Sequence, residues 1–195
     1  MSDVTFLIPT FNEYLNIERL VKKIENLKLK HKYNILFVDD NSSDGSFKKF
    51  TELKSNYINI NFIIRKSFKK DLTKSILLGL NSIETKYTLV MDCDLQHDLK
   101  VIPKMIQLMN VNKNHIIIGS RSIEELKILK RKYISFIGIW ITKLLGIENL
   151  KDPLSGFFII ETPSFKKIAP KITSGGYKIL LSIIFNLGKS VKIKE

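Results

Sequence analysis

The chain has 195 residues, 44% of them hydrophobic and 26% charged, the composition of a soluble globular protein with room for one substantial core. The balance of 32 Lys+Arg against 19 Asp+Glu gives a formal charge of +13, which suits an anionic partner (nucleic acid, lipid surface or phosphorylated substrate) without choosing among them. The single cysteine, Cys93, excludes an internal disulfide and points to a reducing compartment.

The first residues run straight into Val4–Ile8, without the basic stretch and long apolar region of a signal peptide. That segment reads as a buried strand, and Asn12 is placed to cap a helix carrying Ile17, Leu20, Val21, Ile24 and Leu27 on one face. Ile35–Val38 is a second strand, followed by turn residues and a short helix near Phe47–Leu53. Ile58–Ile64 alternates as a third strand, and Leu72–Ile83 is helical. Thr88–Met91 is a fourth strand, Ile102–Met109 a helix and Ile116–Ile118 a fifth strand. Strands separated by helical patterns imply right-handed crossovers and a mostly parallel sheet.

Beyond Arg121 the rhythm changes. A charged stretch, Glu124–Lys132, precedes an amphipathic helix over Ile134–Leu145 with the only tryptophan, Trp140. Phe157–Ile160 is another strand, Tyr177–Leu187 a helix and Val191–Ile193 a last strand. The longest nearly uncharged apolar run, Tyr133–Thr142, is too short to span a bilayer. With no repeat, low-complexity tract or linker, the expectation is a single α/β domain over residues 1–195.

Ligands of an open parallel sheet gather beyond the carboxyl ends of its strands, and the polar residues sit at those ends. Strand one ends in Pro9-Thr10-Phe11-Asn12-Glu13 and strand two in Asp39-Asp40-Asn41-Ser42-Ser43-Asp44-Gly45. Strand four ends in Asp92-Cys93-Asp94-Leu95-Gln96-His97-Asp98 and strand five in Gly119-Ser120-Arg121. A strongly basic protein thus concentrates carboxylates in one crevice with a cation at its edge, as a divalent metal and a nucleotide require.

Asp92 and Asp94 are the sharpest element. Carboxylates one residue apart point the same way from an extended chain and can address one hard cation, with Gln96 as a neutral oxygen ligand. Two turn or helix-capping aspartates would look the same in isolation. Asp39-Asp40 reads equally as turn chemistry or as a ribose or base acceptor at Asp40. Neither G-x-G-x-x-G nor a P-loop pattern is present, which argues against dinucleotide dehydrogenases and P-loop NTPases.

Taken in order, these four strand-end motifs resemble family 2 glycosyltransferases, most closely the dolichyl- or polyprenyl-phosphate mannose synthase group. Asp152-Pro153-Leu154-Ser155-Gly156-Phe157 is similar to that group's later D-P-x-S-G-F segment. The resemblance implies a GT-A, Rossmann-like fold and a metal-dependent, inverting hexosyl transfer. Its donor would be GDP-mannose and its acceptor a polyprenyl phosphate; a UDP-glucose-dependent glucosyltransferase is the alternative. It implies that Pro9, Phe11 (where Tyr is more usual), Glu13, Val38 and Asp40 line the nucleoside pocket. Cys93, usually Ala, would sit beside the nucleotide. Asp94 and Gln96 would hold Mg2+ or Mn2+ with Asp92 assisting, and Arg121 would contact phosphate. On this likeness Asp94 and Arg121 carry catalysis, and no catalytic base is assigned.

Arg121, Lys127, Lys130, Arg131 and Lys132 cluster before the amphipathic helix, where basic residues oppose the macrodipole. That favours an anion site over a solvated face, and Lys130 and Arg131 are assigned to acceptor phosphate. Phe136, Ile137, Trp140, Ile141, Leu144 and Leu145 suit either a bilayer interface or a core. The expected location is cytoplasmic and peripheral at the membrane face, with a membrane subunit as a further partner.

Three departures from the family pattern stand out. Ser67–Thr73 lacks the usual glycines after strand three, Ser122–Leu126 is short and glycine-free, and relatives continue past Glu195 through a basic segment. The chain therefore reads as shortened at its C-terminus, and a nucleotide-sugar-binding domain without turnover is a second hypothesis. A nucleic-acid binder ranks low, since base-stacking aromatics are not interleaved with the Lys/Arg clusters.

Overall fold

The computed structural model describes residues 3–67, 69–112, 115–119, 150, 152–173, 179–188 and 191–195. Seven strands form one sheet in the order β3-β2-β1-β4-β6-β5-β7. They are β1 (Val4–Thr10), β2 (Tyr33–Asp39), β3 (Ile60–Ile64), β4 (Tyr87–Val90), β5 (Ile116–Ile118), β6 (Phe158–Glu161) and β7 (Ile193–Lys194). The α-helices among the described residues are α1 (Tyr14–Glu25), α2 (Ser46–Asn56), α3 (Leu72–Asn81), α4 (Ile102–Asn112), α5 (Thr162–Ile168) and α6 (Ile179–Leu187).

β1 is central and buried along its whole length, pairing in parallel with β2 from Val4↔Tyr33 to Thr10↔Asp39 and with β4 from Val4↔Tyr87 to Leu7↔Val90. A strand covered on both faces has no solvent side, which is why its sequence is a run of apolar residues rather than an alternation. Successive side chains serve two cores. Phe6, Ile8, Ile35 and Phe37 pack with α1, α2 and α4 through Ile17, Leu20, Phe50 and Ile106, among others. Leu7, Leu36 and Val38 pack on the opposite face with Ile76 and Leu80 of α3, Phe165 of α5 and Ile183 of α6.

Burying Ile17, Leu20, Val21 and Ile24 repeats the three- and four-residue spacing of one helix face, so α1 is fixed by its apolar stripe. Gly79 of α3 allows the closest approach: a Cβ there would fall 2.4 Å from Leu7 Cδ1 and 2.6 Å from Val38 Cγ2. The expected third strand begins two residues late, at Ile60, because Ile58 is fully solvent-exposed in the preceding turn.

One strand breaks the parallel pattern. β6 runs antiparallel to both neighbours, pairing Val90↔Phe158 with β4 and Ile118↔Phe158 with β5. Its reversed direction brings the residues before it, Asp152–Phe157, to the edge where β1, β2, β4 and β5 end. α5 follows β6 with no intervening loop and has Pro163 in its first turn, where a missing N–H costs nothing. The amphipathic helix expected over Ile134–Leu145 lies outside the described residues, as do the first residues of the helix expected from Tyr177.

Candidate functional site at the carboxyl edge of the sheet

The first two strand ends are clasped to each other. Asp39, 2% exposed, accepts from the Ser42 backbone N–H at 2.7 Å through Oδ1. Its Oδ2 accepts from the hydroxyls of Ser42 and Thr10. Asn12 and Asn41 adopt left-handed backbone at φ 56° and 61°, which Asn tolerates better than most residues. Asn12 donates its backbone N–H to Ser42 Oγ at 2.7 Å and accepts from Ser43 N–H at 3.0 Å. Asn12 is therefore a loop clasp and not the cap of α1. The Tyr14 N–H, first in α1, instead donates to Asp44 at 2.8 Å.

Asp40, 4% exposed, is the hub of the β2 side. Oδ1 is ion-paired with Arg65, and Oδ2 accepts from the Asp71 backbone N–H at 2.7 Å. Arg65 also donates to the Lys69 carbonyl at 2.7 Å and to Ser75 Oγ at 3.3 Å. Lys70 Nζ donates to the carbonyls of Asp40 and Asn41 and lies 4.1 Å above the centre of the Phe11 ring. Phe11, 43% exposed, thus offers an aromatic face beside Asp40. Arg65 and Lys70 belong to no sequence motif, and the one signal for Arg65 is that it directly follows a strand, as the carboxylates do.

Pro9 is buried at the end of β1 opposite Val38. The Val38 side chain, fully buried against α3, presents no surface to a ligand. Glu13 is half-buried and accepts from Asn16 Nδ2 at 2.6 Å.

The β4 end carries Asp92, Cys93 and Asp94. Cys93 is 2% exposed; burial pushes its thiol pKa up, and the charges of Glu13, Asp94 and Asp92 push it further. β1 and β4 pair in parallel up to Leu7↔Val90, so the segments that carry Glu13 and Asp92–Asp94 leave the sheet at the same edge. Asp94 Oδ1 accepts from the Gln96 N–H at 3.0 Å, closing a tight turn through Leu95 at φ 64°, while Gln96 itself is exposed. The loop before β6 closes the floor: a Cβ on Gly156 would fall 2.6 Å from Asp92 Oδ2, and His97 stacks on Phe157 with ring centres 4.8 Å apart. Ser155 Oγ donates to the Gly119 carbonyl at 2.8 Å, tying that loop to the end of β5. A Cβ on Gly119 would collide with the Phe157 ring at 2.2 Å.

Asp40, Phe11, Glu13, Asp92, Cys93 and Asp94 therefore share one edge of the sheet. Arg121, Lys130 and Arg131 lie outside the described residues. Among the described residues, no three His, Cys, Asp or Glu side chains converge as a metal cage, and no helix is long and apolar enough to cross a membrane.

This strand-end constellation has a matching family: the model of glycosyl transferase family 2 covers residues 5–168. The chain belongs to that family. It is similar to the dolichol-phosphate mannosyltransferase of Pyrococcus furiosus, with 35% identity over 198 residues, 98% of this chain and 54% of that protein. It is 28% identical to the dolichol-phosphate mannosyltransferase of Saccharomyces cerevisiae over 95% of this chain and 71% of that protein. This chain thus spans between about half and seven-tenths of these relatives' lengths.

Among solved structures, glucosyl-3-phosphoglycerate synthase from Mycobacterium tuberculosis, in complex with Mn2+, uridine-diphosphate and glucosyl-3-phosphoglycerate, matches with a TM-score of 0.71 at 14% identity. That match covers 99% of this chain and 68% of the other. A mannosyltransferase from Pyrobaculum calidifontis, in complex with GDP-Man and Mn2+, matches with a TM-score of 0.60 at 11% identity, over 86% of this chain and 46% of the other. The family 2 domain has the expected GT-A fold.

Proposed function

We propose that this family 2 domain transfers a sugar, mannose from GDP-mannose, onto a polyprenyl phosphate with the help of Mg2+ or Mn2+, inverting the anomeric carbon. The observation that carries the reading is the parallel pairing of β1 with β2 and β4, which brings the polar segments holding Phe11, Glu13, Asp40, Asp92 and Asp94 to one edge of the sheet. The dolichol-phosphate mannosyltransferase relatives support the choice of sugar and acceptor.

The side chains present fit a hard divalent cation. Asp92 and Asp94 are both partly exposed, and Gln96 adds an amide oxygen. Carboxylate and amide oxygens are the hard donors that a cation such as Mg2+ takes. In this reading Asp94 and Gln96 would hold the ion with Asp92 beside them, where a divalent cation would supply positive charge to offset that developing on the departing diphosphate. Phe11, Glu13 and Asp40 bind the nucleoside, with Pro9 and the backbone of Val38 behind them and Cys93 close by. Arg121 contacts the donor diphosphate, and Lys130 and Arg131 the acceptor.

A lipid phosphate, with a second pKa of about 6, is largely ionised near neutral pH and needs no strong base. One of its oxygens attacks the anomeric carbon as the bond to the diphosphate breaks, and the electron pair leaves with GDP. The domain's task is alignment and charge stabilisation. Substrate of this kind places the domain peripherally at the cytoplasmic membrane face, with a membrane subunit as a candidate partner.

The test is a panel of labelled GDP- and UDP-sugars with mixed polyprenyl phosphates and Mg2+ or Mn2+, counting label in the lipid fraction. Label from GDP-mannose that is lost with EDTA is the expected result. Transfer from UDP-glucose alone would replace the sugar assignment. Nucleotide binding without transfer to any lipid would replace the enzyme with a binding domain.

A further inference from the structure

His97 is used nowhere in the reading above, yet its environment is closely specified. Its side chain is 9% exposed, and its ring stacks on Phe157 with planes 23° apart. Its Nε2 is fully buried without a hydrogen bond and faces Asp92 Oδ2 at 3.5 Å. A buried ring nitrogen without a partner is uncommon enough to require a reason. A Cβ on Gly156 would stand 2.6 Å from the same carboxylate oxygen. One side chain thus has a nitrogen aimed at it and a missing Cβ beside it.

We infer that His97, seated on Phe157, is the positioning residue for the Asp92 carboxylate: Nε2 holds Oδ2 so that Oδ1 faces the divalent ion, and Gly156 leaves the space in which the carboxylate turns. The inference rests on the metal-dependent reading proposed above. The 3.5 Å separation is longer than a hydrogen bond, so holding the ion would require the Asp92 carboxylate to turn toward Nε2. Phe157 matters because stacking fixes the ring plane and therefore the direction of the nitrogen. Ligating carboxylates are commonly held by such outer partners, whose loss costs about 10–100-fold in metal affinity.

The test titrates Mn2+ into the purified protein with saturating GDP, and in a parallel arm UDP, following the free aqua-ion by electron paramagnetic resonance. His97→Phe keeps a ring on Phe157 but has no nitrogen, and it should weaken Mn2+ uptake about tenfold or more. His97→Gln returns a donor near the Nε2 position and should recover part of the loss. Gly156→Ala displaces the carboxylate directly and should weaken Mn2+ in the same direction. GDP affinity without metal and the thermal midpoint report separately on the fold. Wild-type Mn2+ affinity in His97→Phe overturns the positioning role, and so does equal loss of metal-free GDP binding. If the wild-type protein takes up no Mn2+ with either nucleotide, the metal-dependent reading itself fails, a different outcome from a variant that matches wild type.

Discussion

The carboxylate of Asp44 accepts the backbone N–H of Tyr14 at 2.8 Å across thirty residues of sequence, while its other oxygen accepts the N–H and hydroxyl of Ser46 at 3.0 and 2.6 Å. One side chain therefore satisfies the exposed N-termini of both α1 and α2, whose own N-cap positions, Glu13 and Gly45, provide no side-chain hydrogen bond. It also ties the loop after β1 to the loop after β2 at the carboxyl edge of the sheet.

Asp44→Ala should cost roughly 1–3 kcal/mol, the sum of two lost helix caps. Burial opposes ionisation of Asp44, but hydrogen bonds from the Ser46 side chain and the Tyr14 and Ser46 backbones outweigh it, and the pKa lies below its ordinary value. A depressed folded pKa gives stability that is complete above the unfolded value of about 3.9 and disappears as pH falls through the folded one. Urea midpoints of wild type and Asp44→Ala should differ at pH 7 and converge in acid. A gap that persists below the folded pKa would mean that the hydrogen bonds do not depend on the charge.

Much of this edge is legible in the sequence, and the part that is not has a common cause. The apolar run at Val4–Ile8 and the polar segments after β1, β2 and β4 are local signals, and they sit where a parallel sheet needs them. Partnerships across the sheet leave no local trace. Asn12 has the composition of a cap, but the cap of α1 is Asp44 in the next loop. Arg65 carries no motif, yet it is the counter-charge of Asp40. The direction of β6 is equally silent, since Phe158–Glu161 would be as apolar in a parallel strand, and only its antiparallel pairing brings Gly156 beneath Asp92.

Gly79→Ala sets two effects of opposite sign against each other. Replacing glycine within a helix gains up to about 1 kcal/mol of propensity. The new Cβ would meet Leu7 Cδ1 at 2.4 Å and Val38 Cγ2 at 2.6 Å, in a core where overpacking costs about 1–3 kcal/mol. Leu7 and Val38 lie on paired central strands and cannot both withdraw, so a net loss is expected. A lower denaturant midpoint at unchanged slope would register it, and a raised midpoint would show that α3 can lift off the sheet.

Cys93 should be inert in the folded protein. Burial, reinforced by Glu13, Asp94 and Asp92, keeps its thiol protonated well above the ordinary range, and the thiolate is the reactive form. Ellman's reagent at pH 8 should react with it only at the rate of unfolding or local opening, and rapidly in denaturant. Fast reaction in the native state would show that the thiol is not enclosed as its 2% exposure implies.

Arg65 tests whether the β3 end belongs to the nucleoside side. Its side chain is 11% exposed and that of Asp40 6%, so truncating one partner leaves the other buried and uncompensated. Losses of this kind are on the order of 3–5 kcal/mol when burial is complete. Arg65→Ala also releases Lys69 and Ser75, which the guanidinium bridges. The Asp40 carboxylate would then be left with the Asp71 N–H, and GDP binding should weaken about tenfold, the equivalent of about 1.4 kcal/mol. Arg65→Lys keeps the charge but cannot fork to three acceptors, so it should fall between wild type and alanine in both measurements. Calorimetric titration of GDP beside urea unfolding separates the two effects. If Arg65→Ala unfolds easily yet binds GDP normally at low temperature, the ion pair serves the fold alone.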